Sequence, residues 1–301
     1  MSKAKKIAVL SDIHGNYISL KRCVDYALEQ GINTFVFLGD YVGDLAYPQK
    51  TMTMIYDLAE HYECYFIKGN KENYWLHYRK VGEQGWREED STTGTLLYTY
   101  HNLTDRDLQF FSTLNHVQAI EFKGFPILTA CHGSPEKVNG TLLPNHAETS
   151  EIIGKDVNEY ILCGHTHIQQ KIQHGMKVAF NPGSVGMPLE SNGEAQFMIL
   201  YGENGTWKEE FVSLNYDSLK VINELEEAGL DKAAPFWYKI TEQSLKLGKK
   251  SQSHGSVLGR AMELCKQKYG HCVWPDIPEN CWEQAFGELI LNKQIEHDLG
   301  N

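Results

Sequence analysis

Short apolar runs alternate with stretches whose apolar positions recur every three to four residues through the first quarter of the chain. Runs of the first kind read as buried strands and stretches of the second as amphipathic helices. Lys6–Leu10 predicts a buried strand, and Tyr17–Glu29 a helix with Ile18, Cys23, Val24 and Ala27 facing inward and Gly31 as its stop. Thr34–Leu38 predicts the next strand, Gln49–His61 a helix, Cys64–Ile67 a third strand and Glu72–Lys80 another helix. Strand–helix units repeated in this way predict an α/β layer architecture.

Glu83–Thr113 is polar and aromatic, with short helices expected at Thr95–Tyr100 and Asp105–Phe111, and reads as an insertion over the edge of the sheet. From His116 the pattern becomes strand-rich: Val117–Phe122, Phe125–Thr129, Tyr160–Cys163, Gln169–Gln173, Lys177–Phe180, Ala195–Tyr201 and Thr206–Ser213. Gly124, Gly175 and Glu203-Asn204-Gly205 supply turns, so this half is expected to be mostly antiparallel hairpins. After Ser213 helical periodicity takes over. Leu219, Ile222 and Leu225 form one apolar face, Val257, Leu258, Ala261, Met262 and Cys265 another, and Trp282, Phe286, Leu289 and Ile290 a third. The expected division is a domain at 1–213, with 83–113 inserted, and a helical C-terminal extension at 214–301.

Composition narrows the picture. With 28 Lys+Arg against 39 Asp+Glu the formal net charge is −11, while 42% hydrophobic and 22% charged residues are ordinary globular usage. Disordered, collagen-like and small disulfide-scaffold classes are excluded. So acidic a surface argues against unspecific nucleic-acid binding and demands a local cation for any anionic substrate. The run Ile7-Ala8-Val9-Leu10 is too short for a secretory core, and no stretch approaches the roughly 18 apolar residues of a membrane span. Seven cysteines without a CxxC pair predict a reduced, cytoplasmic protein with no membrane partner.

The chemistry sits where predicted strands end. Ile7–Leu10 runs into Ser11-Asp12-Ile13-His14-Gly15-Asn16, Thr34–Leu38 into Gly39-Asp40-Tyr41-Val42-Gly43, and Cys64–Ile67 into Lys68-Gly69-Asn70-Lys71-Glu72. Ile127–Ala130 runs into Cys131-His132-Gly133, and Tyr160–Leu162 into Cys163-Gly164-His165-Thr166-His167. Ligands of open sheets bind outside the carboxyl ends of strands, so these clusters are expected to converge in one crevice. In extended chain Asp12 and His14 would share a side, as would His165 and His167.

Asp12, His14, Asp40, Asn70, His132, His165 and His167 offer oxygen or imidazole donors and no thiolate. That set exceeds one tetrahedral zinc and suits two divalent ions sharing a carboxylate. Two metals roughly 3.5–4 Å apart can polarise a phosphoryl group and generate a hydroxide near neutral pH. Singly, each residue has an ordinary reading: Asp12 or Asp40 as a turn former, Asn70 as a helix N-cap, a lone histidine as structural. Their recurrence at strand ends, in order, favours the metal site.

This ordered set, followed by Asn181-Pro182-Gly183-Ser184-Val185-Gly186, resembles the calcineurin-like metallophosphoesterase superfamily, and within it the bacterial and archaeal predicted phosphodiesterases. The resemblance spans roughly Lys6 to Ser213. It implies an αββα sandwich of two mixed β-sheets flanked by helices. It also implies that Asp12, His14 and His167 hold one metal and Asn70, His132 and His165 a second, with Asp40 bridging. Manganese, iron, zinc or nickel would be the ions. Two departures stand out: Lys71 occupies the place of a His that helps the leaving group, which in the phosphoprotein-phosphatase branch is oriented by an Asp at the place of Gly43, and the Asn181–Gly186 loop continues as Met187-Pro188-Leu189 where relatives often have Gln and Arg around the proline. Lys71 at a helix start beside two cations would have a lowered pKa and could donate a proton to the leaving oxygen.

The expected activity is therefore metal-dependent phosphoric ester hydrolysis through a metal-bridging hydroxide, with Asn70, Lys71 and His132 as catalytic residues. A small phosphodiester or nucleotide is the expected substrate. Phosphomonoesterase, protein phosphatase or dinucleoside-polyphosphate hydrolase activity is the alternative, a catalytically weak metal-binding scaffold the competing class, and a nuclease the third. Cys265, Cys272 and Cys281 read as buried residues rather than a zinc site. Phe236-Trp237-Tyr238 reads as helix packing rather than a base-stacking platform, with a lid over the site left open. The C-terminal helices could also form a homo-oligomer interface.

Overall fold

The computed structural model describes residues 5–291. Its chain runs β1 (Lys5–Leu10), α1 (Tyr17–Glu29), β2 (Thr34–Phe37), α2 (Pro48–His61), β3 (Glu63–Phe66), α3 (Asn70–Lys80), α4 (Gly94–His101) and α5 (Asp105–Thr113). There follow β4 (Val117–Ile120), β5 (Leu128–Cys131), α6 (Ala147–Lys155), β6 (Tyr160–Leu162), β7 (Gln169–His174), β8 (Lys177–Pro182), β9 (Ala195–Glu203) and β10 (Thr206–Leu214). The last part is helical: α7 (Ser218–Glu227), α8 (Leu230–Ala233), α9 (Pro235–Leu247), α10 (His254–Tyr269) and α11 (Glu279–Phe286).

Two five-stranded mixed sheets form, ordered β10-β9-β1-β2-β3 and β4-β5-β6-β8-β7. The alternation of β1 shows why they stack. Ala8 and Leu10 face a helix-covered cluster with Leu20, Val24, Phe35, Phe37 and Ile55, whereas Ile7 and Val9 face Ala130, Leu162, Phe180, Met198 and Leu200 between the sheets. A strand covered on both faces must read as an uninterrupted apolar run, as this one does. The outer face of the second sheet packs Ile161, Ile172 and Ala179 against Ile152 and Ile153 of α6. The result is the expected αββα sandwich.

The strand-rich half departs from the expected hairpins. β5, β6 and β8 are parallel, and only β4 and β7 run antiparallel to their neighbours in that sheet. Parallel neighbours need a crossover, and α6 supplies it between β5 and β6. β5 also starts later than its apolar run, at Leu128, because Pro126 has no N–H for the ladder.

Asp90–Gly94, within the stretch read as an insertion, is the seat of the C-terminal helices. Glu279 accepts from the Ser91 N–H at 2.7 Å and its hydroxyl at 2.8 Å, and the Trp282 indole donates to Thr92 Oγ1 at 3.0 Å. Phe236 N–H donates to Ser91 Oγ, and Asp90 N–H to the Ala233 carbonyl. The apolar faces of α9, α10 and α11 are spent within the chain, where Ile240, Val257, Ala261, Cys265, Trp282 and Ile290 pack together.

Candidate metal centre

Every cluster of donors lies at the carboxyl end of its strand, and backbone hydrogen bonds draw these ends together. Asp12 N–H donates to the Gly39 carbonyl, His14 N–H to that of Asp40, Gly164 N–H to that of His132, and Gly186 N–H to that of Asp12. The chain is not extended there, contrary to the simple alternation argument. Asp12, His14, Asp40, His165 and His167 all adopt left-handed φ, from 52° to 67°. Non-glycine residues avoid this region, and such backbones persist at functional sites held by their surroundings at about 1–3 kcal/mol each. Left-handed turning, rather than strand alternation, aims these side chains.

The two carboxylates are split in the same manner. Asp12 Oδ2 accepts from Ser11 Oγ at 2.6 Å and from the His165 N–H at 2.9 Å, while its Oδ1 is buried without a hydrogen-bond partner. Asp40 Oδ1 accepts from the Lys71 N–H at 2.8 Å, and its Oδ2 lies 3.5 Å from His132 Nε2 and 3.8 Å from His14 Nε2. Asp12 Oδ1 is 3.2 Å from His167 Nε2, 3.8 Å from His14 Nε2 and 3.9 Å from His132 Nε2. Bare carboxylate oxygens thus face bare ring nitrogens. The tautomers support this: His167 Nδ1 lies 2.7 Å from the Met187 carbonyl and His132 Nδ1 2.8 Å from that of Leu38, so each ring donates at Nδ1 and leaves Nε2 as a lone pair.

His14 Nε2 and His167 Nε2 are 3.1 Å apart, and His132 Nε2 is 3.0 Å from Asn70 Oδ1. Lone pairs brought this close repel unless a proton or cation lies between them. The donor set and the orphaned Asp12 Oδ1 therefore fit divalent ions, in two clusters: Asp12, His14 and His167, and Asp12, Asp40 and His132. Asp12 belongs to both clusters, and Asp40 Oδ2 lies between His14 and His132. His165 joins this centre through its backbone N–H and through a ring 5.2 Å from that of His132.

Electrostatics follow the same geometry. Burial would raise the Asp12 pKa, but His167 and His132 hold it well below the usual carboxylate range. Burial lowers and Asp44 more than restores that of His14, pushed up to about 10. His165 goes the other way, to about 4, through desolvation and the neighbouring His132. Beneath the centre the buried Glu72 carboxylate accepts from the N–H groups of Gly69, Asp40 and Tyr41 at 2.7–3.1 Å, fixing the Asp40 loop to the start of α3. That helix begins at Asn70 with Gly69 as its cap, so Asn70 is not the N-cap.

A family model described as the calcineurin-like phosphoesterase superfamily domain matches residues 6–205. The chain belongs to that superfamily. An uncharacterized protein of Methanocaldococcus jannaschii is 26% identical over 240 residues, 73% of this chain and 91% of that protein. The fold is also that of a metallophosphoesterase from Sphaerobacter thermophilus, with TM-score 0.65, 19% identity, and coverage of 82% of this chain and all of that one. A hypothetical protein from Pyrococcus horikoshii superposes with TM-score 0.68, 22% identity, and coverage of 81% of this chain and 99% of that one. Membership in this metal-binding superfamily agrees with Asp/His clusters able to hold metal.

Asp44 is a residue of the centre that the sequence reading missed. It is buried, with Oδ2 2.7 Å from His14 Nδ1, while Oδ1 accepts from Lys71 Nζ at 2.8 Å and from the Trp237 indole at 2.8 Å. Nδ1 of His14 and Oδ2 of Asp44 are close enough to hold a proton between them, which leaves His14 Nε2 for the centre. The expected lowering of the Lys71 pKa is corrected here: burial lowers it, but the charge and hydrogen bond of Asp44 outweigh burial and the pKa is raised. One residue beyond Gly43, Asp44 gives Lys71 the counter-ion that the missing dyad would have given a histidine. Trp237 comes from α9, so the C-terminal helices reach the centre and wall a cavity of about 460 Å³ in front of it.

Proposed function

We propose that this chain is a dinuclear metal-dependent hydrolase of small phosphate esters, with phosphodiesters or nucleotides as its substrates. The observation that carries the reading is the convergence of Asp12 Oδ1 and Asp40 Oδ2 with the Nε2 atoms of His14, His132 and His167, with His14, Asp40 and His167 lining one cavity. Asp12, His14 and His167 would hold one ion and Asn70, His132 and His165 the other, with Asp40 between. Two divalent ions there, manganese by preference and iron, zinc or nickel as alternatives, would supply Lewis acidity and an activated water.

The chain's own groups do the rest. Asn70, which lines the cavity, orients the phosphoryl oxygens through its amide N–H, while His132, read from sequence as catalytic too, has Nδ1 on the Leu38 carbonyl and Nε2 toward the ions and serves as a ligand. Lys71, kept protonated by Asp44, hydrogen-bonds the leaving oxygen as a fixed cation rather than as a lowered-pKa acid. The walls contributed by α9 and α10 restrict entry, which favours a small ester over a phosphoprotein or a nucleic-acid strand. No helix among the described residues is long and apolar enough to cross a membrane, and free cysteines fit a cytoplasmic setting.

The test is hydrolysis of bis-p-nitrophenyl phosphate and p-nitrophenyl phosphate with added Mn²⁺. Turnover by the wild type, and its loss to background in Asp40→Ala, is the expected result. Manganese bound without turnover would replace the enzyme by a metal-binding scaffold.

A further inference from the structure

Two half-open aromatic rings stand at the cavity in front of the centre. Tyr74 of α3 and Trp274, in the loop between α10 and α11, both line it, and their rings stack with centroids 5.5 Å apart and planes 26° from parallel. Each covers part of the other, yet Tyr74 stays 36% and Trp274 38% exposed. Adjacent exposed aromatics in a pocket mark a place where a ligand supplies the missing cover.

The other tryptophan lining the cavity is already spent. Trp237 donates its indole N–H to Asp44, and its ring is met by His254 at 4.3 Å and by Trp282 at 5.8 Å. Trp274, by contrast, is held only from behind. Ile277 is buried, the Asp276 N–H donates to the Val273 carbonyl at 2.8 Å, and the Asp276 carboxylate accepts from Arg87 Nη1 at 3.1 Å. A ring on so anchored a loop loses little freedom when a ligand stacks on it.

Tyr74 ties the pair to the chemistry. It follows Asn70 by one helical turn, about 6 Å along the axis. Burial raises the pKa of its hydroxyl, and Lys71, Asp40 and Asn70 act on it as well, so the hydroxyl sits beside the centre while the ring meets Trp274.

We propose that Tyr74 and Trp274 form a stacking subsite for a nucleobase, which makes the substrate a nucleotide with its phosphate at the metal centre and its base against these rings. A planar heteroaromatic buries a whole face in an offset stack, which an alkyl or sugar group does not. Such stacking tolerates any base. This deepens the phosphoesterase reading and rests on it for the phosphate end.

The test compares adenosine 5′-monophosphate with ribose 5-phosphate, which lacks only the base, by calorimetry on Mn²⁺-loaded protein. The nucleotide should bind the wild type about tenfold tighter, toward the low end of what one stacked base contributes. Trp274→Ala should remove that advantage by weakening the nucleotide alone, with ribose 5-phosphate binding, Mn²⁺ affinity and Tm nearly unchanged. Trp274→Phe, which keeps a ring, should restore most of it. Equal affinity for both ligands in the wild type, or an undiminished preference in Trp274→Ala, overturns the subsite. Equal weakening of both ligands in Trp274→Ala also overturns it, by making Trp274 a support of the cavity wall. Hydrolysis of p-nitrophenyl phosphate in parallel separates the two readings. Turnover without a preference for the nucleotide removes only the subsite, whereas a preference lost in Trp274→Ala, without turnover, leaves the subsite and removes the esterase.

Discussion

At the scale of single residues the centre is governed by which lone pairs are occupied. Asp12 and Asp40 each spend one oxygen on a backbone N–H and keep the other bare. His132 and His167 each spend Nδ1 on a carbonyl. Asp44 completes the set as the anion beneath His14 and Lys71. Asp44→Asn should weaken Mn²⁺ binding by about 10–100-fold, as loss of a group behind a ligand does elsewhere, measured by calorimetry. It should also lower Tm, because Lys71 loses its buried counter-charge. Unchanged affinity would make Asp44 a mere packing residue. Gly164 offers a second check. A Cβ there would overlap Ser11 Oγ and lie 2.8 Å from Asp12 Oδ2, so Gly164→Ala disturbs the Ser11–Asp12 hydrogen bond that holds the carboxylate. Metal affinity should fall in that variant more than in Gly175→Ala, where nothing lies within 4 Å. The ligand side chains were legible because their types recur at strand ends; Asp44 was not, because one acid among turn residues has no pattern of its own.

At the scale of elements, strands and helices with strong local signals were read nearly to the residue. α1 runs Tyr17–Glu29 as expected, since Asn16 caps it by accepting from the Ser19 N–H and Gly31 follows its end. α6 was overlooked because its nine residues include a glycine, a serine and a threonine, weak helix formers whose order depends on the sheet behind them. The parallel register of β5, β6 and β8 was equally invisible, since strand pairing is not encoded in any one strand. The C-terminal helices were visible as amphipathic periods but not by destination. Trp282 fixes that destination: it is fully buried, bonds Thr92 and meets the Trp237 ring edge-on at 5.8 Å. Trp282→Ala should cost about 3–5 kcal/mol in denaturant unfolding and, by loosening Trp237, reduce turnover as well. Lost stability with full kcat would show that α9 keeps its place without α11.

At the scale of the molecule, an acidic chain gathers further acids at one point and opens a cavity there. Such a centre should be stabilised by the ions it binds: at a free Mn²⁺ concentration 100 times Kd the gain is about 2.7 kcal/mol. Chelation of the loaded protein should therefore lower Tm in a calorimetric scan, and Asp40→Ala should abolish that response. A Tm indifferent to chelator in the wild type would contradict the metal assignment.

What the sequence determined by itself was local: which runs become strands, where each ends, and which donor types follow it. These depend on spacing within a dozen residues, the range over which side-chain periodicity and turn chemistry act. The tertiary structure decided the rest. It imposed the left-handed turns that aim the ligands, brought Asp44 under His14 and Lys71, and laid the C-terminal helices across the centre. Those outcomes depend on packing between segments from 27 positions apart, as Asp44 and Lys71 are, to 193, as Asp44 and Trp237 are, and no local pattern carries such distances.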